Sequence, residues 1–422
     1  MNDSPETVVR NAYLPERDAV VDIAVADGRI EAIRPGIATT GETELDAEGA
    51  LVSPGLIDAH VHLDMALSAT GDRLPRNNEE WTGRIDAIER TAAYFADTEK
   101  AEIAASVREV ANRAIANGVL HLRAHTYVDS VVGTSVVETV AEVLEAFDDR
   151  LDAEIVAFPQ RGIRRDEGSV DALNAALDAG ADLVGGLDPA TLNDDREGVI
   201  GTWFDIAKEH DADVDVHIHE RGETGMGTLE RLAGEAVDRG YEDRVTASHA
   251  YALADAATAS EDGDANPDDS GDDPLDAAME TFDAADLRFV TCYGSTRRGM
   301  PVREFHDGGL VMAHGTDQVR DLWRPRGNVN ALEAIGVESI KLDGYSTNSG
   351  LGHLWRLITT EGATVLGRED SYGIEPGTPA DLVVHRTPSP QWAILERADP
   401  RYVLKEGRVV ATDGTITDAP AK

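Results

Sequence analysis

A chain of 422 residues, 41% of them hydrophobic, can bury a large core and has room for one barrel plus a smaller domain. Its 80 Asp and Glu against 38 Lys and Arg give a formal net charge of −42, which excludes nucleic acid and anionic membranes as partners by repulsion. Cys292 is the single cysteine, so no intrachain disulfide can form and a buried thiol is expected.

The N-terminal residues have neither the basic nor the apolar region of a signal peptide, and no run reaches membrane-spanning length. A cytoplasmic location is expected. The acidic residues are spread over segments with good apolar periodicity, as on the solvated surface of a folded protein. Such a surface fits a cytosol of very high salt, where the Debye length shrinks to about 3 Å.

In chain order, residues 7–14, 19–25 and 27–33 alternate apolar and polar positions, and Asp27-Gly28 is a hairpin signal between the last two. Residues 380–385 and 402–411 repeat the style. Residues 1–53 and 373–422 are therefore expected to form one small discontinuous β-sandwich, built from both chain ends around a different middle, 54–372.

In that middle, apolar strands alternate with helical patterns at 98–117, 135–147 and 170–179, the βαβ signature of a parallel sheet. Strand candidates fall at 51–62, 119–126, 153–159, 182–187, 213–219, 245–249, 287–292 and 309–315. Their number is that of a closed (β/α)8 TIM-type barrel. An open doubly wound sheet competes, but no glycine-rich phosphate loop follows an early strand. Residues 260–276 are rich in aspartate without apolar periodicity. They lack EF-hand spacing and read as an acidic loop.

Polar residues collect at the C-terminal ends of these strands, where barrel enzymes hold their catalytic groups. His60-Val61-His62 closes the first, and period two turns both imidazoles to one face, which suits a divalent transition metal. His217, His219 and Glu220 end the fifth strand, His249 the sixth, and Asp317 follows the eighth.

With these residues in hand, the chain resembles the amidohydrolase superfamily, and within it the cytosine deaminase branch, as an acidic, haloarchaeal-type member. The matching segments are Pro54 to Asp64 around His60 and His62, Val156-Ala157-Phe158-Pro159-Gln160, Asp215-Val216-His217 with Glu220, Val245 to His249, and Asp317 with Asp321-Leu322-Trp323. The resemblance implies a (β/α)8 barrel with one divalent metal ion, Fe2+ or Zn2+, at the barrel mouth. It implies His60, His62, His217 and Asp317 as metal ligands, His249 as the residue that orients the attacking water, and Glu220 as proton shuttle. Asp317 is also expected to take a proton from that water. Gln160 resembles the amide that grips a pyrimidine edge; His125, Gln318 and Trp323 complete the expected substrate pocket.

Binuclear members of the superfamily bridge two metals with a lysine ending the fourth strand, and there is no lysine between Lys100 and Lys208. Asp188 either replaces it or is a solvent-facing or turn-capping residue before Pro189. His219 either faces the pocket or hydrogen-bonds a neighbour there, His125 lines the mouth or is structural, and Asp64 orients its neighbours. His306, His314 and His353 are expected to be structural. Gln318 stands where typical cytosine deaminases have a second aspartate, and 293–299 is shorter than usual, so the substrate departs from cytosine or is a close analogue such as isocytosine or creatinine.

The expected activity is thus hydrolytic deamination of a small cytosine-like heterocycle by a homo-oligomeric enzyme. One alternative is hydrolysis of an N-substituted amino group or a cyclic amide, told apart by release of an alkylamine or a ring-opened acid instead of ammonia. A catalytically silent relative acting by assembly is the other, and the intact histidine and carboxylate set argues against it.

Overall fold

The structure, a computed structural model, describes residues 5–69, 83–262, 274–292, 300–341 and 345–417. Eight strands form one sheet in sequential order: β1 (Leu56–Val61), β2 (Val119–Tyr127), β3 (Asp152–Phe158), β4 (Leu183–Leu187), β5 (Asp213–His217), β6 (Val245–Ser248), β7 (Arg288–Cys292) and β8 (Met312–Gly315). Every neighbouring pair is parallel. The sheet closes where Val61 bridges Asp317, with Asp317 N donating to His60 O and His62 N to Asp317 O, both at 2.8 Å.

Most of these strands are buried along their whole length, and β3 over its C-terminal half, because side chains fill the barrel inside and helices cover it outside. Helix Lys100–Ala116 shows the outer layer: Ile103, Val107, Val110, Ala111 and Ala114 recur at helical spacing and are buried. The predicted helices at 98–117, 135–147 and 170–179 are found as Lys100–Ala116, Ser135–Glu145 and Ser169–Asp178.

Closure depends on Gly315. A Cβ there would lie 2.5 Å from both Cβ and carbonyl O of His60, so only glycine lets β8 come this close to β1.

The expected single strand at 51–62 is in fact two. Val52–Pro54 pairs antiparallel with Leu382–Val384 in a terminal sheet, and the chain enters the barrel only at Leu56. Between them Pro54 has no amide hydrogen, and Gly55 sits where a Cβ would be 2.7 Å from Leu120. The uninterrupted apolar run hid this break.

Two sheets flank the barrel. Thr7–Leu14, Ala19–Ala26, Arg29–Arg34 and Thr43–Asp46 form one; Val52–Pro54, Leu382–Val384, Tyr402–Lys405, Arg408–Thr412 and Thr415–Ile416 form the other. They share an apolar core in which Val9, Leu14 and Ile23 meet Leu382, Val384 and Leu404 from the other chain end. The Asp27-Gly28 hairpin is present, both residues having the positive φ that a two-residue hairpin turn needs.

Helices Tyr251–Asp262 and Pro274–Ala284 take in both edges of the expected acidic loop. Its remainder, 263–273, and the segment 293–299 lie outside the described residues.

Candidate active site

Four groups converge at the C-terminal end of the barrel. Asp317 Oδ1 lies 3.5 Å from His62 Nε2 and 3.8 Å from His60 Nε2, while His217 Nε2 is 3.3 Å from His62 Nε2. All four residues are buried. Burial, reinforced by neighbouring imidazoles, holds His60 and His217 well below the usual histidine range, and burial pushes His62 down to about 4. The imidazoles are therefore neutral, the form that ligates a metal.

The outer nitrogens are fixed. His62 Nδ1 is 3.1 Å from the carbonyl of His125, and His60 Nδ1 is 3.0 Å from Ser248 Oγ. Ser248 Oγ donates to Asp215 Oδ1 (2.7 Å), and Arg123 Nη1 donates to Asp215 Oδ2 (3.0 Å). This buried chain sets the ring of His60 and leaves its Nε2 without a protein partner among the described residues. Ligand atoms of His60, His62 and Asp317 lie within 4.8 Å of one another, as do those of His60, His217 and His125, and this donor set, with the orphaned Nε2 of His60, fits a single divalent transition metal.

His249, one residue past β6, packs 4.9 Å from both His60 and His217 by ring centroids. It is buried, and neither ring nitrogen has a protein partner among the described residues. His249 and Asp317 both have positive φ, +70° and +62°, conformations a non-glycine side chain holds only where the surroundings impose them. Burial raises the Asp317 carboxyl to about 6. Cys292, ending β7, also lies beside His60 and His249, and burial raises its thiol well above the ordinary range.

Above the cluster opens a cavity of about 390 Å3. His62, His217, His249 and Asp317 line one end, with the carboxamides of Gln160 and Gln318 beside them. Each amide has a buried Oε1 with no protein partner among the described residues. Phe158, Leu187 and Trp323 supply an apolar wall, backed by Ile88 and Leu192. Trp323 is fixed by donation from its Nε1 to Thr91 Oγ1 (2.8 Å).

His219 lines the cavity as well. Its backbone N donates to Asp188 Oδ1 (2.6 Å), and its Nδ1 is 3.2 Å from Asp188 Oδ2, which Arg84 also engages. Asp188 is thus a buried anchor of His219; it neither faces solvent nor belongs to the metal cluster.

Two expected residues lie elsewhere. The Glu220 carboxylate is absent from the cavity wall: Oε1 accepts from Ala190 N (2.9 Å) and Thr191 N (2.7 Å), and Oε2 from Thr228 Oγ1. His125 lies beneath the cluster, its ring stacked on His60 at 3.8 Å, and does not line the cavity. Asp64 braces its surroundings as expected, accepting from Tyr127 N (2.7 Å) and Met65 N (2.8 Å). His306 and His353 contact each other at 4.5 Å away from the cavity, and His314 is buried off its wall.

The sequence reading missed Arg84, Arg221, Tyr251 and Arg324 on the wall, and Ser248, Asp215 and Arg123 behind His60. Asp215 carried a signal, being two residues before His217 on the same strand face.

A family model described as "Amidohydrolase family" matches residues 85–411. The chain belongs to the amidohydrolase family. Among curated relatives of this amidohydrolase is the N-isopropylammelide isopropyl amidohydrolase of Pseudomonas sp. (strain ADP), 40% identical over 416 residues that cover 99% of this chain and 100% of that one. The crystal structure of N-isopropylammelide isopropylaminohydrolase from Burkholderia multivorans superposes with a TM-score of 0.84 at 28% identity, covering 97% of this chain and 99% of the other. The 5-methylcytosine deaminase of Klebsiella pneumoniae shares the fold, with a TM-score of 0.81 at 24% identity over 98% and 99% of the two chains. Among the described residues of this amidohydrolase, no helix is long and apolar enough to cross a membrane.

Proposed function

We propose that this amidohydrolase removes an N-alkylated amine from a ring carbon of an oxo-substituted nitrogen heterocycle, by addition of water. The carrying observation is the apolar wall of Phe158, Leu187 and Trp323 facing the same cavity as the histidine–aspartate cluster. A bare pyrimidine carries no alkyl group to fill such a wall, whereas a compact alkyl substituent on the departing nitrogen does. The relatives that act on N-isopropylammelide support this reading.

His60, His62, His217 and Asp317 would hold one divalent ion, whose chemistry is to polarise the reacting centre and make water nucleophilic at neutral pH. The chain's own groups do the rest. Gln160 and Gln318 each present a donor and an acceptor, the complement of a ring edge carrying N–H and C=O side by side. His249 and Asp317 are the groups at the cluster able to accept a proton from attacking water, which the departing amine must regain to leave neutral. His219, held by Asp188 and stacked on His249 at 4.4 Å, is positioned to hydrogen-bond substrate beside the cluster.

Incubating the metal-loaded enzyme with an N-isopropylamino dioxotriazine, its unsubstituted amino analogue and cytosine tests the reading. Isopropylamine release at the highest kcat/KM is expected, with one metal per chain and loss of activity on chelation. Ammonia release from cytosine at higher kcat/KM would replace the reading by ring deamination.

A further inference from the structure

The charge of the cavity wall runs against that of the chain. Acidic residues outnumber basic ones 80 to 38 overall, yet the charged residues lining the cavity, among those described, are Arg84, Arg221, Arg324 and Asp317. Asp317 belongs to the metal cluster. The other charged residues of the described wall are cations.

Arg84 and Arg221 are held in place. Arg84 engages buried Asp188, and Arg221 donates from Nη1 to Asp255 Oδ1 (2.8 Å) while its guanidinium lies 5.0 Å from the centre of the Tyr251 ring. A guanidinium has five N–H donors, so each such bond leaves others on the fork. Arg324, half-buried, lines the same cavity. The side chains of Arg84 and Arg221 are 33% and 50% exposed against 6% or less for His60, His62 and Asp317, which puts these two at the open side.

Gln160 and Gln318 would satisfy the carbonyl and N–H groups of a neutral ring. Guanidinium groups add nothing such a ring requires, whereas they form short charge-assisted bonds with an anion. Those bonds are local and persist where molar salt has screened longer-range attraction.

We infer that the substrate binds as an anion, its negative charge held by Arg221 and Arg324 of the cavity wall. The inference rests on the proposed amine-releasing reaction only for which atom reacts. Two sources supply the charge: a ring N–H flanked by two carbonyls that has lost its proton, or a carboxylate on the departing amine.

Binding to the metal-loaded enzyme is measured by calorimetry with barbiturate, a trioxopyrimidine ionised at neutral pH, and with uracil, a neutral dioxopyrimidine. Barbiturate is expected to bind at least about 10-fold tighter, and Arg221→Gln and Arg324→Gln each to lose most of that preference while leaving uracil binding unchanged. Equal affinity for the two rings, or a preference untouched in both variants, overturns the inference.

Turnover then separates the sources. Loss of activity on methylating the ring nitrogen of the N-isopropylamino dioxotriazine assigns the charge to the ring. A higher kcat/KM for an N-carboxymethylamino analogue, dependent on the arginines through KM, assigns it to the amine. Absence of both effects in an enzyme that does turn over the parent triazine overturns the inference. Arginine-dependent barbiturate binding without amine release from any ring would instead sink the proposed reaction and leave the anion site standing.

Discussion

Both oxygens of Glu220 are engaged, by two backbone N–H groups and a threonine hydroxyl, in a loop that also positions Asp188. Glu220→Gln turns charge-assisted bonds from two backbone N–H groups into neutral ones and reverses the bond with Thr228, whose hydroxyl can turn to the Thr224 carbonyl, at a cost of about 1–2 kcal/mol. A lower thermal midpoint with kcat reduced less than about 10-fold is expected; a 100-fold fall in kcat at unchanged midpoint would return Glu220 to proton transfer. Ser248→Ala cuts the chain from Arg123 and Asp215 to His60. Metal affinity should fall about 10–100-fold, read by competition with a chelator, while the fold persists. The residues legible beforehand, His60, His62, His217, His249 and Asp317, sit at or just past strand ends, where period two and chemistry agree. Beyond the strand that agreement stops: β5 ends at His217, so alternation no longer aims Glu220, and His125 lies two residues inside β2, which puts it under the cluster. The wall arginines come from no repeating pattern, and only the tertiary fold gathers them.

At the scale of elements, the joint between the barrel and the terminal sheet is ionic. Lys405, on Tyr402–Lys405 and 4% exposed, donates to Asp381 (2.6 Å) and to Asp152 at the start of β3 (2.9 Å); Arg368 Nη1 and His121 Nδ1 each lie 3.0 Å from Asp152. Burial alone would raise the Asp152 carboxyl, but His121 and Lys405 outweigh it and hold the group well below the usual carboxylate range. A depressed folded-state value means that the stabilisation is present above the unfolded pKa, near 4, and is lost as pH falls toward the folded value. Lys405→Met is therefore expected to cost about 3–5 kcal/mol at pH 7, by leaving buried carboxylates underpaired, and to flatten the fall in thermal midpoint below about pH 4. A variant with the parental acid limb would show that Lys405 does not set it. Lys405 was visible in the sequence only as one of five lysines, since its partners are more than 20 residues away. The barrel helices, by contrast, carry their own evidence in local periodicity, and were found within a few residues of their ends.

For the whole molecule the governing quantity is the net charge of −42. Several described cations are already paired: Arg231 and Arg239 share Glu235 while reaching Glu197 and Asp205, and Arg244 holds Asp211 and Asp213. Such pairs are local, and the excess of acidic groups remains, pushing outward on the compact state unless counterions screen it. Raising ionic strength from 0.1 M to 1 M shortens the Debye length from about 10 Å to about 3 Å, less than the spacing of most surface charges. The thermal midpoint is therefore expected to rise steeply with KCl, and the protein to lose structure in dilute buffer. Salt also strengthens apolar burial when its ions are excluded from the surface, so the screening account needs its own control. Sucrose is excluded without screening, and at matched osmolality it should not replace KCl. Exchanging Asp264, Asp268, Asp269, Asp272 and Asp273 for asparagine removes five charges, to −37, and should lower the KCl concentration needed for folding. Turnover in saturating salt should stay at the parental value. Full stability of the parent in dilute buffer, or rescue by sucrose equal to that by KCl, would mean that repulsion does not limit this fold.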